Sequence, residues 1–298
     1  MTVGFVASAE REGKREEMVY LLMEYILDHS EGHIVLVEPR FYAHLLSLGL
    51  DMKNARSISP MSEGASCDLI ISIGGDGTFL RAAKLVAGKP AAILGVNAGR
   101  LGFLASMQPE ELMKSWAQIL EGDYTVDKRS MLSIYEVSAT GTETLLGEAL
   151  NEISLVRRDT ASMIEVETHV MDEYMATYVG DGVIVATPTG STAYSMSVQG
   201  PIIDPASRVH LICPIAPHTL NMRPLVLPDS AELTLEVSSR NGSFLLAVDG
   251  KGKPMMHHTL LKIRKGANEI TVAHVEGSNS YYSTLRNKLM WGRDVRKA

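Results

Sequence analysis

The sequence predicts an α/β domain built on a parallel sheet, followed by an all-β domain of two antiparallel layers. Three observations predict it. In the first third of the chain, short apolar runs alternate with stretches of helical periodicity, which is the pattern of βαβ units. Beyond residue 128 the helical periodicity fades, and short runs rich in Val, Ile and Thr follow one another, several of them alternating. Such runs suit antiparallel sheets with one buried face. The chain is also long enough for two cores, with 298 residues of which 45% are hydrophobic.

The elements follow in order. Residues 3–7 read as a strand, and Met18, Val19, Leu22, Tyr25 and Ile26 then recur at helical spacing. Residues 33–37 (HIVLV), 68–73 (DLIISI) and 91–96 (AAILGV) read as the next strands. The second of these runs into a glycine turn and an apolar helix that ends near Gly88. In the β half, strands are expected at 132–137, 145–156, 164–170, 175–187, 233–237, 244–248, 261–263 and 270–275. Pro214, Pro217 and Pro224 punctuate what reads as a loop, and residues 281–295 as a terminal helix or tail. There is no internal repeat and no low-complexity linker. The two halves are therefore expected to be joined tightly, with a cleft between them as the natural ligand site.

Composition narrows the function classes. The net charge of −7 and the 6% aromatic content argue against a nucleic-acid partner or an anionic membrane surface. An anionic substrate would need a locally positive site made of backbone N–H groups, a few basic residues and a metal ion. Cys67 and Cys213 have neither CxxC spacing nor a histidine partner, so buried reduced thiols are expected. The N-terminus reads as no signal peptide, and no run approaches the roughly 20 apolar residues of a membrane span. A cytoplasmic protein is expected.

The sharpest local signal is Ile73-Gly74-Gly75-Asp76-Gly77-Thr78, between a buried strand and a helix. A helix N-terminus favours phosphate, and glycines let the backbone approach a bulky anion. An aspartate there would repel a bare phosphate. It makes sense if it binds a metal or accepts a proton from an attacking hydroxyl. The spacing is not a dinucleotide fingerprint, since Leu80 stands where a third glycine belongs, and no GxxxxGK[ST] occurs. The bland alternative is a tight turn with Asp76 or Thr78 as a helix cap. Arg81 and Lys84 follow on the same helix, close to the expected anion, with Lys84 read as solvated surface charge.

Further along, Asn151-Glu152 sits between two strand-like runs. It can read a ribose diol or a base edge, or be a solvated strand end. Gly180-Asp181-Gly182 precedes an apolar run, and residues 188–197 (PTGSTAYSMS) are dense in hydroxyls around Tyr194. That stretch is either a nucleotide-binding loop with Tyr194 stacking on a ring, or a Ser/Thr-rich loop with a helix cap. Asp249-Gly250-Lys251 reads as a hairpin turn. His210, His218, His257, His258 and His274 lack metal-ligand spacing.

Together IGGDGTFLRAAK (73–84), LGVNAGRLGFLA (94–105), ALNEISLVR (149–157), GDGVIVATPTGSTAYSMS (180–197), CPIAPHTLNMRP (213–224) and AVDG (247–250) resemble the NAD kinase family. GGDGT alone is shared with diacylglycerol and sphingosine kinases. DGVIVATPTGSTAYS with the preceding Asn-Glu pair is specific to NAD kinases. The resemblance implies an α/β nucleotide-binding domain, a β-rich domain, and a C-terminal tail that returns to the first. On this chain that places the α/β domain at 1–127 with the tail 278–298, and the NAD-binding β domain at 128–277.

The resemblance also implies phosphorylation of the 2′-hydroxyl of NAD's adenosine ribose. The donor would be ATP or inorganic polyphosphate, with Mg²⁺ or another divalent metal bridging donor phosphates. Asp76 would accept the hydroxyl proton, and Asp76 and Gly77 would touch NAD. Gly74, Gly75, Gly77, Thr78 and Arg81 would line the donor phosphates. Asn151 and Glu152 would hold the ribose hydroxyls, and Asp181 would contact NAD from the β domain. Thr192, Ala193, Tyr194 and Ser197 would form the adenine and nicotinamide pockets. A homodimer or homotetramer is implied, with part of the NAD site across a subunit boundary. The rival readings are a GGDGT-type lipid kinase, a non-catalytic NAD-binding sensor and an NADP phosphatase. Two departures from the family pattern stand out: Gln199 replaces a glycine, and Lys251 stands where Gln or His is common.

Overall fold

Residues 1–7, 13–57, 67–99, 102–159 and 162–291 are described in a computed structural model of the chain. The chain divides into two units, Met1–Lys128 with Ile270–Ala298, and Arg129–Glu269.

The first unit contains β1 (Thr2–Ala7), α1 (Lys14–Asp28), β2 (Ile34–Val37), α2 (Pro39–Ser47), β3 (Ala55–Ser57), β4 (Leu69–Ile73), α3 (Asp76–Val86), β5 (Ala92–Val96), α4 (Pro109–Lys114) and α5 (Trp116–Leu120). Its strands are parallel, in the order β3-β2-β1-β4-β5. They are continuous apolar runs because helices cover both faces of such a sheet. Phe5, Leu69, Ile71, Leu22, Phe41 and Trp116 are fully buried in this core. Strands β1 and β4 are neighbours although β2 and β3 intervene in sequence. Ligands of open α/β sheets collect at the carboxyl ends of strands at such a switch point, and the glycine turn leaves β4 there. Helix α2 is absent from the sequence expectation. It starts with Pro39 in its first turn, and Glu38 accepts from the Phe41 N–H at 3.2 Å, a start signal rather than a periodic one.

The remaining elements are β6 (Thr125–Val137), β7 (Glu143–Ala149), β8 (Glu152–Arg157), β9 (Ile164–Val170), β10 (Glu173–Gly180), β11 (Gly182–Ala186), a helical turn α6 (Tyr194–Ser197), β12 (Val209–Ile215), β13 (Leu225–Pro228), β14 (Leu233–Ser239), β15 (Ser243–Val248), β16 (Lys251–Met256), β17 (Leu260–His274) and α7 (Tyr281–Leu289). The second unit is a two-layer antiparallel structure. One layer orders β10-β9-β14-β17, with β6 on β17 and β7 on β6; the other orders β13-β12-β11-β8-β15-β16. Ile153, Leu155, Val183, Val185, Phe244 and Leu246 from the second layer meet Leu233, Leu235, Val237, Leu261 and Ile263 from the first. On the other face of the second layer, Ile184, Ala186, Leu211 and Cys213 are covered by Val198 and Ile203.

Several boundaries differ from expectation. The run 145–156 is broken at Leu150-Asn151 into β7 and β8, and 175–187 is broken at Asp181 into β10 and β11. At the second break Gly182 has φ +158°, and a Cβ there would stand 2.2 Å from the Leu155 carbonyl oxygen, so only glycine fits. The runs 261–263 and 270–275 are one strand, β17. Its residues Leu260–Ile263 pair with β14, and its Thr271 and Val272 pair in parallel with β5 in the first unit. Pro214, expected in a loop, is in β12. Strand β13 pairs with β12 only as far as Ile212, so Pro214 lies beyond that partner. Of the stretch 281–295, residues 281–289 are helical, with Ser280 capping the Ser283 N–H. Residues 292–295 lie outside the described residues, as do Arg100 and Leu101 of segment 94–105 and residues 292–298 of the expected tail.

Candidate active site

In the first unit, β4 ends at Ile73 and α3 starts at Asp76, with Gly75 at the N-cap. The glycines serve different ends. A Cβ on Gly74 would collide with the Thr78 side chain at 2.2 Å, so Gly74 is required by the turn itself. Around Gly75 and Gly77 a Cβ would meet open space, with nothing described within 4 Å beyond the adjoining residues and the helix's own backbone. Nothing inside the protein demands glycine at those two positions, next to a helix N-terminus that favours anions.

Asp76 does not cap its helix. Its carboxylate crosses to the loop after β5, where the N–H groups of Phe103, Leu104 and Ala105 donate to it at 3.1, 3.0 and 3.3 Å. Gly102 makes this possible, because a Cβ there would stand 2.1 Å from Asp76 Oδ1. Gly102 is thus a site residue that motif reading passes over. Arg81 is half-buried and donates to the carbonyl of Ala7 at the end of β1 at 2.6 Å, leaving its Nε unpartnered.

In the second unit, Asn151 lies in the break between β7 and β8, Glu152 is the first residue of β8, and both are buried. The solvated strand end is therefore excluded. Asn151 Oδ1 and Glu152 Oε2 have no hydrogen-bond partner. Their backbone is fastened on several sides. Thr187 N–H donates to the Asn151 carbonyl at 2.9 Å, and the Thr187 hydroxyl donates to the Leu150 carbonyl. Gly190 sits so close that a Cβ would be 2.1 Å from the Asn151 oxygen. Asp249 accepts from the N–H groups of Leu150, Asn151 and Glu152 at 3.1, 2.8 and 3.3 Å. Burial first, and then the neighbouring Asp249 charge, push the Glu152 carboxyl up to about 7, against a smaller opposite effect from the Tyr194 backbone N–H.

The hydroxyl-rich stretch divides by use. Ser191 bonds both ways with the Ile203 backbone, Ser195 bonds Cys213 at 3.2 Å, and Thr192 donates to the Thr189 carbonyl. These hydroxyls build the segment. Tyr194 and Ser197 are exposed, and Ala193 lies between a short helical turn (Thr189–Thr192) and α6, with φ −105° and ψ −126°. Asp181 is held by Arg157 in a two-pronged ion pair at 2.8 and 3.2 Å. Gln199 adopts φ +65°, a left-handed backbone that favours glycine. Lys251 opens β16 and is exposed. Cys67 and Cys213 are buried and free. Among the described residues no three His, Cys, Asp or Glu gather to hold a metal, and no helix is long and apolar enough to cross a membrane.

Comparison with known proteins adds the family context. Residues 3–124 match the model of the ATP-NAD kinase N-terminal domain, and residues 150–275 that of the ATP-NAD kinase C-terminal domain. The NAD kinase of Bacteroides fragilis is 46% identical over 231 residues, 77% of this chain and 78% of the relative. That of Flavobacterium psychrophilum is 42% identical over 263 residues, 88% and 89% of the two chains. A yeast NADH kinase solved with NADH superposes with a TM-score of 0.85 at 22% identity, covering 100% of this chain and 89% of that one. An Archaeoglobus fulgidus NAD kinase solved with ATP gives 0.70 at 26% identity, covering 97% and 98%.

Proposed function

Because the chain belongs to the NAD kinase family, and so phosphorylates NAD, we propose that Asp76 takes the proton of the 2′-hydroxyl on NAD's adenosine ribose while Asn151 and Glu152 bind ribose hydroxyls. The observation that carries this is the pair of unpartnered buried oxygens, Asn151 Oδ1 and Glu152 Oε2. Buried polar atoms in folded proteins are almost always paired, and an unpaired one is destabilising by about 1–3 kcal/mol. Two adjacent acceptors without donors match a ligand that brings hydroxyl donors. Tyr194, Ser197, Thr192 and Ala193 line the adenine and nicotinamide pockets. Asp181 contributes to NAD binding through its place beside Arg157.

The phosphoryl donor is ATP or inorganic polyphosphate. Gly74, Gly75, Gly77, Thr78 and Arg81 line the donor phosphates: Gly74 and Thr78 shape the turn, Gly75 and Gly77 leave room beside it, and Arg81 follows on α3. Phosphoryl transfer asks the protein mainly for in-line positioning and charge neutralisation. A carboxylate is a weak base for a sugar hydroxyl, which suffices when the proton leaves late. Three amide donors fix Asp76 in one orientation, so its larger contribution is aiming the 2′-oxygen. A divalent metal, Mg²⁺ or Mn²⁺, would neutralise donor phosphate charge. The turn offers it one carboxylate, Asp76, so the donor's own oxygens would supply most of its ligands. The protein works as a homodimer or homotetramer in the cytoplasm, where the free thiols of Cys67 and Cys213 stay reduced.

The test follows NADP formation from NAD, ATP and Mg²⁺, with polyphosphate replacing ATP in parallel. Asp76→Asn is expected to lower kcat by at least about 10²-fold with a smaller change in NAD affinity. An Asn variant with near-normal kcat removes Asp76 from proton transfer.

A further inference from the structure

Asp249 stands at the first position of the two-residue turn between β15 and β16. Asp249 has φ +46° and Gly250 φ +74°, the conformation of a type I′ hairpin turn, in which Asp-Gly is a favoured pair. The turn explains why Asp and Gly are adjacent. It does not explain the carboxylate. Leu150 and Asn151 form the break between β7 and β8, so their N–H groups lie outside both strands. The Asp249 carboxylate takes their place in the ladder: Oδ2 accepts from Leu150, and Oδ1 from Asn151 and Glu152, at 2.8–3.3 Å. The Asp249 N–H returns a bond to the Glu152 carbonyl at 3.0 Å. Val248 pairs with Ile153, so the last rung of the β8–β15 ladder puts the turn beside the break.

We propose that Asp249 is a positioning residue for NAD: without touching the dinucleotide, it gathers three consecutive amides and so holds the Asn151 and Glu152 side chains in place for the ribose hydroxyls. The inference rests on the reading that Asn151 and Glu152 bind NAD. A neutral acceptor could make some of these bonds. The negative charge adds a second effect, because it lies beside a buried Glu152 and favours the protonated form of that carboxyl. Glu152 meets Asp249 from the β15–β16 turn and the backbone N–H of Tyr194 from α6; no other charged group among the described residues is resolved as acting on it. Its ionised form is the better acceptor for two hydroxyls, so NAD binding tightens as pH rises through the range where Glu152 titrates.

The experiment measures KM for NAD and for ATP, and kcat/KM for NAD across pH 5.5–9, in the full-length enzyme and three variants. Asp249→Asn keeps the Oδ1 bonds but loses the charge and the Leu150 bond. It is expected to raise the KM for NAD by about tenfold, to leave the KM for ATP within about twofold, and to move the inflection in kcat/KM to lower pH. Asp249→Ala is expected to raise the KM for NAD further in the same selective way. Glu152→Gln should abolish the inflection. A wild-type KM for NAD and an unmoved inflection in Asp249→Asn would overturn the proposal while leaving Glu152 in the NAD site. So would parallel losses toward NAD and ATP with an unmoved inflection, which is the result of a merely structural role. Normal NAD kinetics in Glu152→Gln would remove the underlying reading, and the proposal with it.

Discussion

Glu152 is a carboxyl that binds its proton more tightly in the folded protein than in the unfolded chain, since its titration moves from 4.5 to about 7. The sign of the stability effect follows from that. Between pH 4.5 and 7 the folded state holds more proton, so stability falls as pH rises through this window and then levels off. Glu152→Gln removes the charge and keeps the shape. It is expected to stabilise the ligand-free protein by up to about 3 kcal/mol at pH 8 and by little at pH 5. Urea unfolding at the two pH values checks this, and equal gains at both would show that charge is not the cause. Gln199 is a second residue that works against stability. Its left-handed φ of +65° suits glycine better than a side chain with a Cβ. Gln199→Gly is expected to raise stability by up to about 1 kcal/mol, read as a higher urea midpoint. Its sequence signal was a departure from a family pattern, which flagged the position without giving its conformation.

At the scale of elements, the β4–α3 turn and the loop after β5 act as one device. The open space at Gly75 predicts that Gly75→Ala folds with an unchanged melting temperature and still raises the KM for the donor. Gly102→Ala pushes against Asp76 and is expected to lower kcat by about 10²-fold, close to the effect of losing the carboxylate. Steady-state kinetics beside thermal melts separates the two, and a donor-neutral Gly75→Ala would place the phosphates elsewhere. The turn was legible because glycines between an apolar run and a helical pattern form a local signal. Its partner loop was not, since the bonds from Asp76 to residues 103–105 join positions 27 to 29 apart. The Asp249 bonds span 97 to 99 residues, and no local pattern encodes them. Strand β12 escaped notice for another reason. Its His210 and Pro214 interrupt an apolar run, and the proline is tolerated there beyond the end of β13.

Across the whole molecule, the parallel first sheet and the antiparallel second unit were readable from periodicity, because continuous and alternating burial leave different patterns. Where β17 changes partners was not, since its two ends look alike as strands. The last helix illustrates what such late segments do. In α7 Leu285 is buried, Lys288 lies 4.4 Å from the centre of the Phe103 ring, and just before it Asn279 donates to the Ser106 carbonyl. Leu285→Ala is expected to cost about 2–4 kcal/mol and to speed hydrogen exchange at residues 102–106, the loop that holds Asp76. Exchange in β8, β11 and β15 should be unchanged; a uniform rise across both units would instead indicate a single cooperative unfolding event.

The assignment of Ile270–Ala298 to the first unit has a consequence for how the protein is born. Chains emerge from the ribosome N-terminus first, and domains usually complete themselves in that order. Here residues 1–128 leave the exit tunnel without the Thr271–Val272 pairing to β5 and without α7. All of Arg129–Glu269 emerges before either arrives. The second unit is therefore the first of the two that can be finished during translation, and the nascent N-terminal sheet must wait, one edge unmatched, until Thr271 and Val272 have emerged behind it.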